Sequence, residues 1–174
     1  MEILREEKAF VEYFDNFIQT GEVIWIGIRP GPKEPVLVLE ETQAQPGGLL
    51  DDRYNKGNRD GKRQVTLIQY EHLQAVASFL GRKNIDPALV RRNIVVKGIN
   101  LNSFPGQQIS IGEAILEMTG YCHPCNRMEE NLGKGGYNAM RGHGGITCRV
   151  LKGGKIRIGD RIKVIPACKE NRVQ

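Results

Sequence analysis

Aromatic side chains make up 6% of this 174-residue chain, with a single tryptophan, and no apolar run is long. The most apolar stretches, residues 23–28 and 36–39, fall far short of the roughly 20 residues that cross a bilayer, so they read as strands and no membrane partner is expected. Four cysteines are too few for a disulfide scaffold. A reducing compartment leaves them as thiols unless they bind metal or react. Residues 1–7 carry charges where a secretory signal needs an apolar core, which makes the cytoplasm the expected location. Internal repeats and low-complexity tracts are also missing. With 26% charged and 40% hydrophobic residues the chain is neither disordered nor fibrous, and its length suits one ordinary domain.

What the chain has in excess is positive charge, unevenly placed. Residues 1–50 hold 4 Lys+Arg against 9 Asp+Glu, whereas residues 51–174 hold 21 against 11. The later portion is therefore expected to face an anion. A nucleic acid is not the favoured one, because the aromatics after residue 70 are only Phe79, Phe104, Tyr121 and Tyr137, too scattered for a stacking surface.

Residues 4–18 place Leu4, Phe10 or Val11, Phe14, Phe17 and Ile18 at three- and four-residue steps, the pattern of an amphipathic helix that Gly21 stops. Residues 22–28 and 35–42 are predicted as adjacent antiparallel strands, ended by Arg29-Pro30-Gly31-Pro32 and Gln45-Pro46-Gly47-Gly48. Residues 51–63 are almost devoid of apolar side chains and read as a mobile surface loop of the kind that often carries function. A strand over 64–69 leads to a helix over 71–80 that Gly81 closes. Residues 89–97 run into the β-branched Ile94-Val95-Val96. Short strands follow at 107–111, 114–119, 145–151, 155–158 and 161–165, with Gly153-Gly154 placed as a two-residue hairpin turn. The spacing is that of a sandwich or barrel, so a mainly β (α+β) domain with two or three helices is expected.

Chemistry concentrates in Cys122-His123-Pro124-Cys125. Pro124 biases His123 away from the α region, so the two cysteines do not share a helical face. Cys125 is expected at the N-terminus of a short polar turn containing Glu129 and Glu130 and ended by Gly133. There the unpaired N–H groups, the dipole and Arg127 would favour a thiolate, a nucleophile or a soft-metal ligand. The plainer alternative makes both cysteines small apolar side chains at a strand end. A zinc site would add His123, His143, Cys148 or Cys168 to the pair, but Cys148 and Cys168 stand 20 residues apart and form no second knuckle. Gly133-Lys134-Gly135-Gly136 and Arg141-Gly142-His143-Gly144-Gly145 lack the Lys-Ser/Thr of a P-loop and read as turns, with His143 a loop histidine.

Taken in order, Arg63-Gln64-Val65-Thr66-Leu67-Ile68, Arg92-Asn93-Ile94-Val95-Val96-Lys97-Gly98-Ile99, Gly112-Glu113-Ala114, Cys122-His123-Pro124-Cys125 and Gly154-Lys155-Ile156-Arg157-Ile158-Gly159-Asp160 resemble the MOSC family, named for the C-terminal domain of molybdenum cofactor sulfurase. The resemblance spans about residues 22–165. It implies a β-barrel-like domain over 22–166; the N-terminal helix extension, 1–21, and a C-terminal tail, 167–174, lie outside it. It also implies that Cys125 is either a persulfide carrier or a thiolate ligand of molybdenum, and that Cys122 is an extra cysteine. Arg92 and Asn93 match the positions expected to hold the molybdenum cofactor (molybdopterin). Asp52-Arg53-Tyr54 looks like the family's Asp-Arg-His/Tyr element, with Asp51 where glycine is more usual; Asp52, Arg53 and Arg127 complete the candidate cofactor-binding set. The activity implied is persulfide transfer or molybdenum-dependent reduction of N-hydroxylated compounds. A sulfur donor of the cysteine desulfurase type, or a redox partner, would then be needed, since the chain has no cysteine cluster or dinucleotide motif. The alternative is a non-catalytic domain that binds an anionic ligand, or a zinc-stabilised module.

Overall fold

Strand β1 (Gly21–Ile28) is the seam on which the architecture closes. In the computed structural model, which describes residues 13, 16–32, 34–55 and 60–165, it pairs antiparallel with three partners. These are β2 (Leu37–Leu39), β6 (Ile94–Lys97) and β11 (Arg161–Ile165). The chain fills the gaps with β5 (Val65–Gln69), β7 (Gln108–Ile111), β8 (Ala114–Tyr121) and β9 (Ile146–Lys152), in the order β11-β7-β8-β9-β5-β6-β1. Pairing of β1 with β11 closes these seven strands into a barrel, as the mainly β expectation required, and β2 is appended at the edge of β1. A second, small sheet is made of β3 (Glu41–Gln45), β4 (Gly48–Leu49) and β10 (Gly154–Arg157).

Within the barrel only β5 and β6 run parallel. A parallel pair needs a crossover. Helices α1 (Tyr70–Phe79) and α2 (Pro87–Val90) supply it and cover the outer face of these strands. Both strands are thereby buried on two sides: Leu67, Ile94 and Val96 point into the barrel core, while Ile68 and Val95 join Leu73, Val76 and Val90 in a second core under the helices. This double burial is why Leu67-Ile68 and Ile94-Val95-Val96 are unbroken apolar runs rather than alternating ones. Met128 and Leu132 of α3 (Asn126–Leu132) and Met140, just after α4 (Gly136–Ala139), complete that outer core.

The helix ends follow local chemistry. Gly81, at φ +63°, lets the N–H groups of Gly81 and Arg82 reach back to Ser78 and Ala77 carbonyls, closing α1. Asp86 caps α2 by accepting from the Ala88 N–H at 2.9 Å, with Pro87 at the first helical position. Arg91 then turns the chain at φ 60°.

Three expectations need correction. Residues 35–42 are not one strand: β2 stays with the barrel and β3 belongs to the second sheet. Gly153-Gly154 is not a hairpin turn, since β10 pairs with β3, not β9, and neither glycine has a positive φ. They are required by close approach instead: a Cβ on Gly154 would lie 2.6 Å from the Glu113 carbonyl oxygen and one on Gly153 2.8 Å from that of Ala44. The 51–63 stretch does not begin as surface loop, because Asp52 is only 6% exposed and its carboxylate accepts backbone N–H groups. Asp51, at φ 60°, adopts the conformation that glycine takes most easily. Most of the helix expected over 4–18 and the whole of the tail over 167–174, with Cys168, lie outside the described residues. Tyr13 is helical, and Phe17 packs edge-on against Phe104 with ring centroids 5.4 Å apart.

Gly142 and Gly145 give a direct test of this packing, because both have φ near +80° but only Gly145 is confined: a Cβ there would collide with the Leu67 carbonyl oxygen. Gly142→Ala should cost about 1 kcal/mol from backbone strain alone. Gly145→Ala should cost roughly 2–4 kcal/mol by adding overpacking against β5. Denaturant unfolding of both variants checks the ranking; equal losses would refute the close approach.

Candidate functional site

Where β8 ends, the chain runs extended through Cys122-His123-Pro124 and enters α3 with Cys125 as its N-cap residue, at φ −126° and ψ 173°. Cys122 is fixed by its backbone: its N–H donates to the Gly145 carbonyl at 2.8 Å, and its carbonyl accepts from Arg92 Nη2 at 3.4 Å. Cys125 is exposed and its side chain makes no capping hydrogen bond. Both cysteines line a cavity of about 250 Å³. Arg29, Arg63, Arg91 and Arg92 line it too, and no Asp or Glu is among its wall residues.

Two of these arginines are buried, each 7% exposed. Arg92 donates from Nε to the Gly144 carbonyl at 2.6 Å and from Nη1 to the Val90 carbonyl at 2.7 Å, besides its contact with Cys122. Arg29 donates from Nη1 to the Arg91 carbonyl at 3.0 Å and lies over the Tyr54 ring at 5.2 Å. Among the described residues neither guanidinium forms an ion pair with a carboxylate. Burial lowers the pKa of both groups. For Arg29 the pull of Asp52 opposes this while Arg91 and Arg53 add to it; for Arg92 the Cys122 and Cys125 thiols oppose it. A buried cation held only by neutral carbonyls is an incomplete electrostatic arrangement.

Asn93 and Asp52 form the floor that fixes this arrangement. Asn93 Oδ1 accepts from the Thr66 N–H at 3.1 Å and the Thr66 hydroxyl at 2.9 Å, and its Nδ2 donates to the Gly27 carbonyl at 3.3 Å and to Asp52 Oδ2 at 3.0 Å. All four positions of the amide are therefore occupied within the protein. Asp52 Oδ2 also accepts from the Arg29 N–H at 3.1 Å, and Oδ1 from the Tyr54 N–H at 2.9 Å. The carboxylate thus faces backbone and amide donors, which leaves the Arg29 guanidinium without it.

Of the residues singled out in the sequence, the structure brings Cys125, Arg92 and Asn93 to one cavity and puts Asp52 beneath it. Arg53 and Arg127 are not among its wall residues: Arg53 stacks on Tyr54 at 4.8 Å and Arg127 is exposed on α3. Arg29, Arg63 and Arg91 escaped the sequence reading. In the sequence Arg29 stands as turn punctuation before Pro30, and nothing local marks the three as neighbours. The zinc ligand set does not assemble among the described residues, where no group of three His, Cys, Asp or Glu side chains converges. Cys148 lies in the barrel core and His143 packs against His72 and Phe79.

Burial, with Glu117 nearby, pushes the Cys148 thiol well above the usual thiol range. Alkylation of the native protein at neutral pH should therefore modify Cys125 first and half-buried Cys122 more slowly, and reach Cys148 only after denaturation. Timed labelling read by peptide mass spectrometry checks the order, and early labelling of Cys148 would contradict it.

No curated protein matches the chain. Solved structures do. The YuaD protein from Bacillus subtilis is 20% identical with a TM-score of 0.75, over 87% of this chain and 100% of its own. YiiM from Escherichia coli is 16% identical with a TM-score of 0.64, over 87% and 71%. YiiM from Geobacillus stearothermophilus is 15% identical with a TM-score of 0.66, over 83% and 75%. At these identities the likeness speaks for the fold alone. The MOSC domain profile matches residues 47–163, which hold β4 to most of β11 and every wall of the cavity except Arg29. With more than half of its length matched, the chain belongs to the MOSC domain family.

Proposed function

We propose that this MOSC protein binds the molybdenum cofactor in the arginine-lined cavity, with Cys125 as its sulfur contact and Arg29, Arg63, Arg91 and Arg92 as the seat of its anionic groups. One observation carries the reading: an exposed thiol shares a cavity with two buried guanidinium groups that form no ion pair with a carboxylate among the described residues. The donor set fits such a group, because soft sulfur suits molybdenum and the planar guanidinium fork suits phosphate oxygens. Asn93 and Asp52 act as positioning residues, since their polar atoms are engaged within the protein. Arg53 and Arg127, outside the cavity, are assigned to the approach of a partner protein. The free thiols suit a cytoplasmic setting, and among the described residues no helix is long and apolar enough to cross a membrane.

When bound, the cofactor would supply a metal able to cycle electrons. The chain's own contribution is to hold the anion, to shield it behind Arg29 and Arg92, and to present sulfur. Reduction of an N-hydroxylated compound would take two electrons from a redox partner and two protons, converting R–NHOH to R–NH2 and water, and Cys125 would be the residue that holds the metal. In sulfur carriage the Cys125 thiolate attacks the outer sulfur of a donor persulfide R–S–SH, forming Cys125–S–SH and releasing R–S⁻. The exposure of Cys125 favours the second use, because a donor protein must reach the sulfur.

Protein purified from molybdate-fed cells should contain molybdenum near one atom per chain by mass spectrometry. Cys125→Ser should lose most of it without loss of thermal stability, because the exposed Cys125 side chain makes no capping hydrogen bond and serine is a favoured N-cap residue. Arg63→Ala removes one charge-assisted contact, worth roughly 1.5–3 kcal/mol, and should weaken cofactor binding about ten- to hundredfold. Zinc in place of molybdenum, or full metal content in Cys125→Ser, would overturn the reading.

A further inference from the structure

His72 on α1 and His143 in the loop between α4 and β9 meet with perpendicular rings, centroids 4.7 Å apart, and Phe79 flanks His143 at 5.3 Å. The Nδ1 atom of each histidine is buried and has no hydrogen-bond partner among the described residues. The packing suits a neutral His72 ring, because an imidazolium there would need acceptors for two N–H groups. Charge around the pair does little to help. Glu71, on the same helix, favours the cation at His72, but its carboxylate accepts from the Gly98 N–H at 2.8 Å; Arg141, two residues before His143, is an exposed cation. Burial first, and His143 second, lower the His72 pKa.

The loop that carries His143 is hydrogen-bonded to two residues of the thiol site. Its next residue, Gly144, accepts Arg92 Nε at 2.6 Å, and Gly145 accepts the Cys122 N–H at 2.8 Å. Gly144 is pressed so closely on the Cys122 carbonyl that an added Cβ would collide with it. Movement of the His143 ring is therefore one peptide unit away from the contacts that hold Arg92 and Cys122.

We propose that the His72–His143 contact is a proton-operated latch: a neutral His72 ring seats residues 142–145 and holds Arg92 in place, and protonation of His72 parts the rings, lifts the loop and loosens the anion site. The sign follows from linkage. Well above the ordinary imidazole pKa of 6.5 His72 is neutral in both the seated and the released form. As pH falls below that value the released form takes the proton first, so the seated form loses stability from about pH 6.5 downward. The effect on ligand rests on the anion-site reading above; the movement of the loop does not.

The test uses the full chain, with nitrogen-15 amide spectra of Cys122, Gly144 and Gly145 and calorimetric binding of sulfate, which stays dianionic between pH 8 and 5. Wild type should show the three amides shifting together below pH 6.5 and sulfate binding at least fivefold weaker at pH 5.5 than at 7.5. His72→Phe/His143→Phe should abolish the shared shift and flatten the sulfate profile. Thermal unfolding at pH 7.5 checks its folding. If the double variant does not fold, the His72 ring-proton titration in wild type decides instead: the amides must follow its midpoint. Amides insensitive to pH, or titrating alike in wild type and double variant, would overturn the latch. Absence of sulfate binding at every pH, with the amide transition intact, would count against the anion site and leave the latch standing.

Discussion

The Arg92 guanidinium joins three backbone segments that are far apart in the chain: Val90 in α2, Cys122 beyond β8, and Gly144 in the loop before β9. Every wall of the thiol cavity on that side is set by one cation and three carbonyl oxygens. Hydrogen bonds to a charged donor in a buried setting are strong enough to fix such a junction, yet carbonyl dipoles do not neutralise the charge. Arg29 repeats the arrangement from the end of β1, with its guanidinium on the Arg91 carbonyl and Asp52 turned away to backbone N–H groups. The fold thus holds two buried positive charges at one cavity, and among the described residues neither forms an ion pair with a carboxylate. Arg63, Arg91 and Arg92 bring part of the positive balance after residue 50 to this cavity, and Arg29 joins them from the acidic first fifty residues.

Much of the barrel is legible in the sequence because its strands are short β-branched runs separated by glycines, and the doubly buried β5 and β6 are conspicuous as unbroken apolar stretches. Cys125 was legible as the start of a short helix from Pro124 and Gly133. What local pattern does not carry is closure. Arg29 ends β1, Arg63 precedes β5 and Arg91 leaves α2, and only the pairing of β1 with β6 and of β6 with β5 makes them neighbours. The same limit explains Gly153-Gly154, whose local form matches a hairpin turn while its glycines serve the crowding of β10 on residues 44 and 113. Asp52 looked like surface because it sits in a run of polar residues. Its burial depends on Arg29, Tyr54 and Asn93, and only Tyr54 is close in sequence.

The cysteines show how placement divides one chemical type into different roles. Cys148 faces the barrel core as a small apolar side chain, Cys122 is half-buried and held by its backbone, and Cys125 alone is exposed in the arginine cavity. Asn93, an anion-binding candidate in the sequence, has its amide fully engaged with Thr66, Gly27 and Asp52, so it fixes the walls from beneath.

Crystals of protein purified from molybdate-fed cells, measured on both sides of the molybdenum absorption edge, test the central claim most directly. The account predicts one anomalous peak inside the cavity, within bonding distance of Cys125 Sγ and with its anionic groups against Arg29, Arg63, Arg91 and Arg92. A protein that contains molybdenum but shows the peak elsewhere, or away from Cys125, would contradict it.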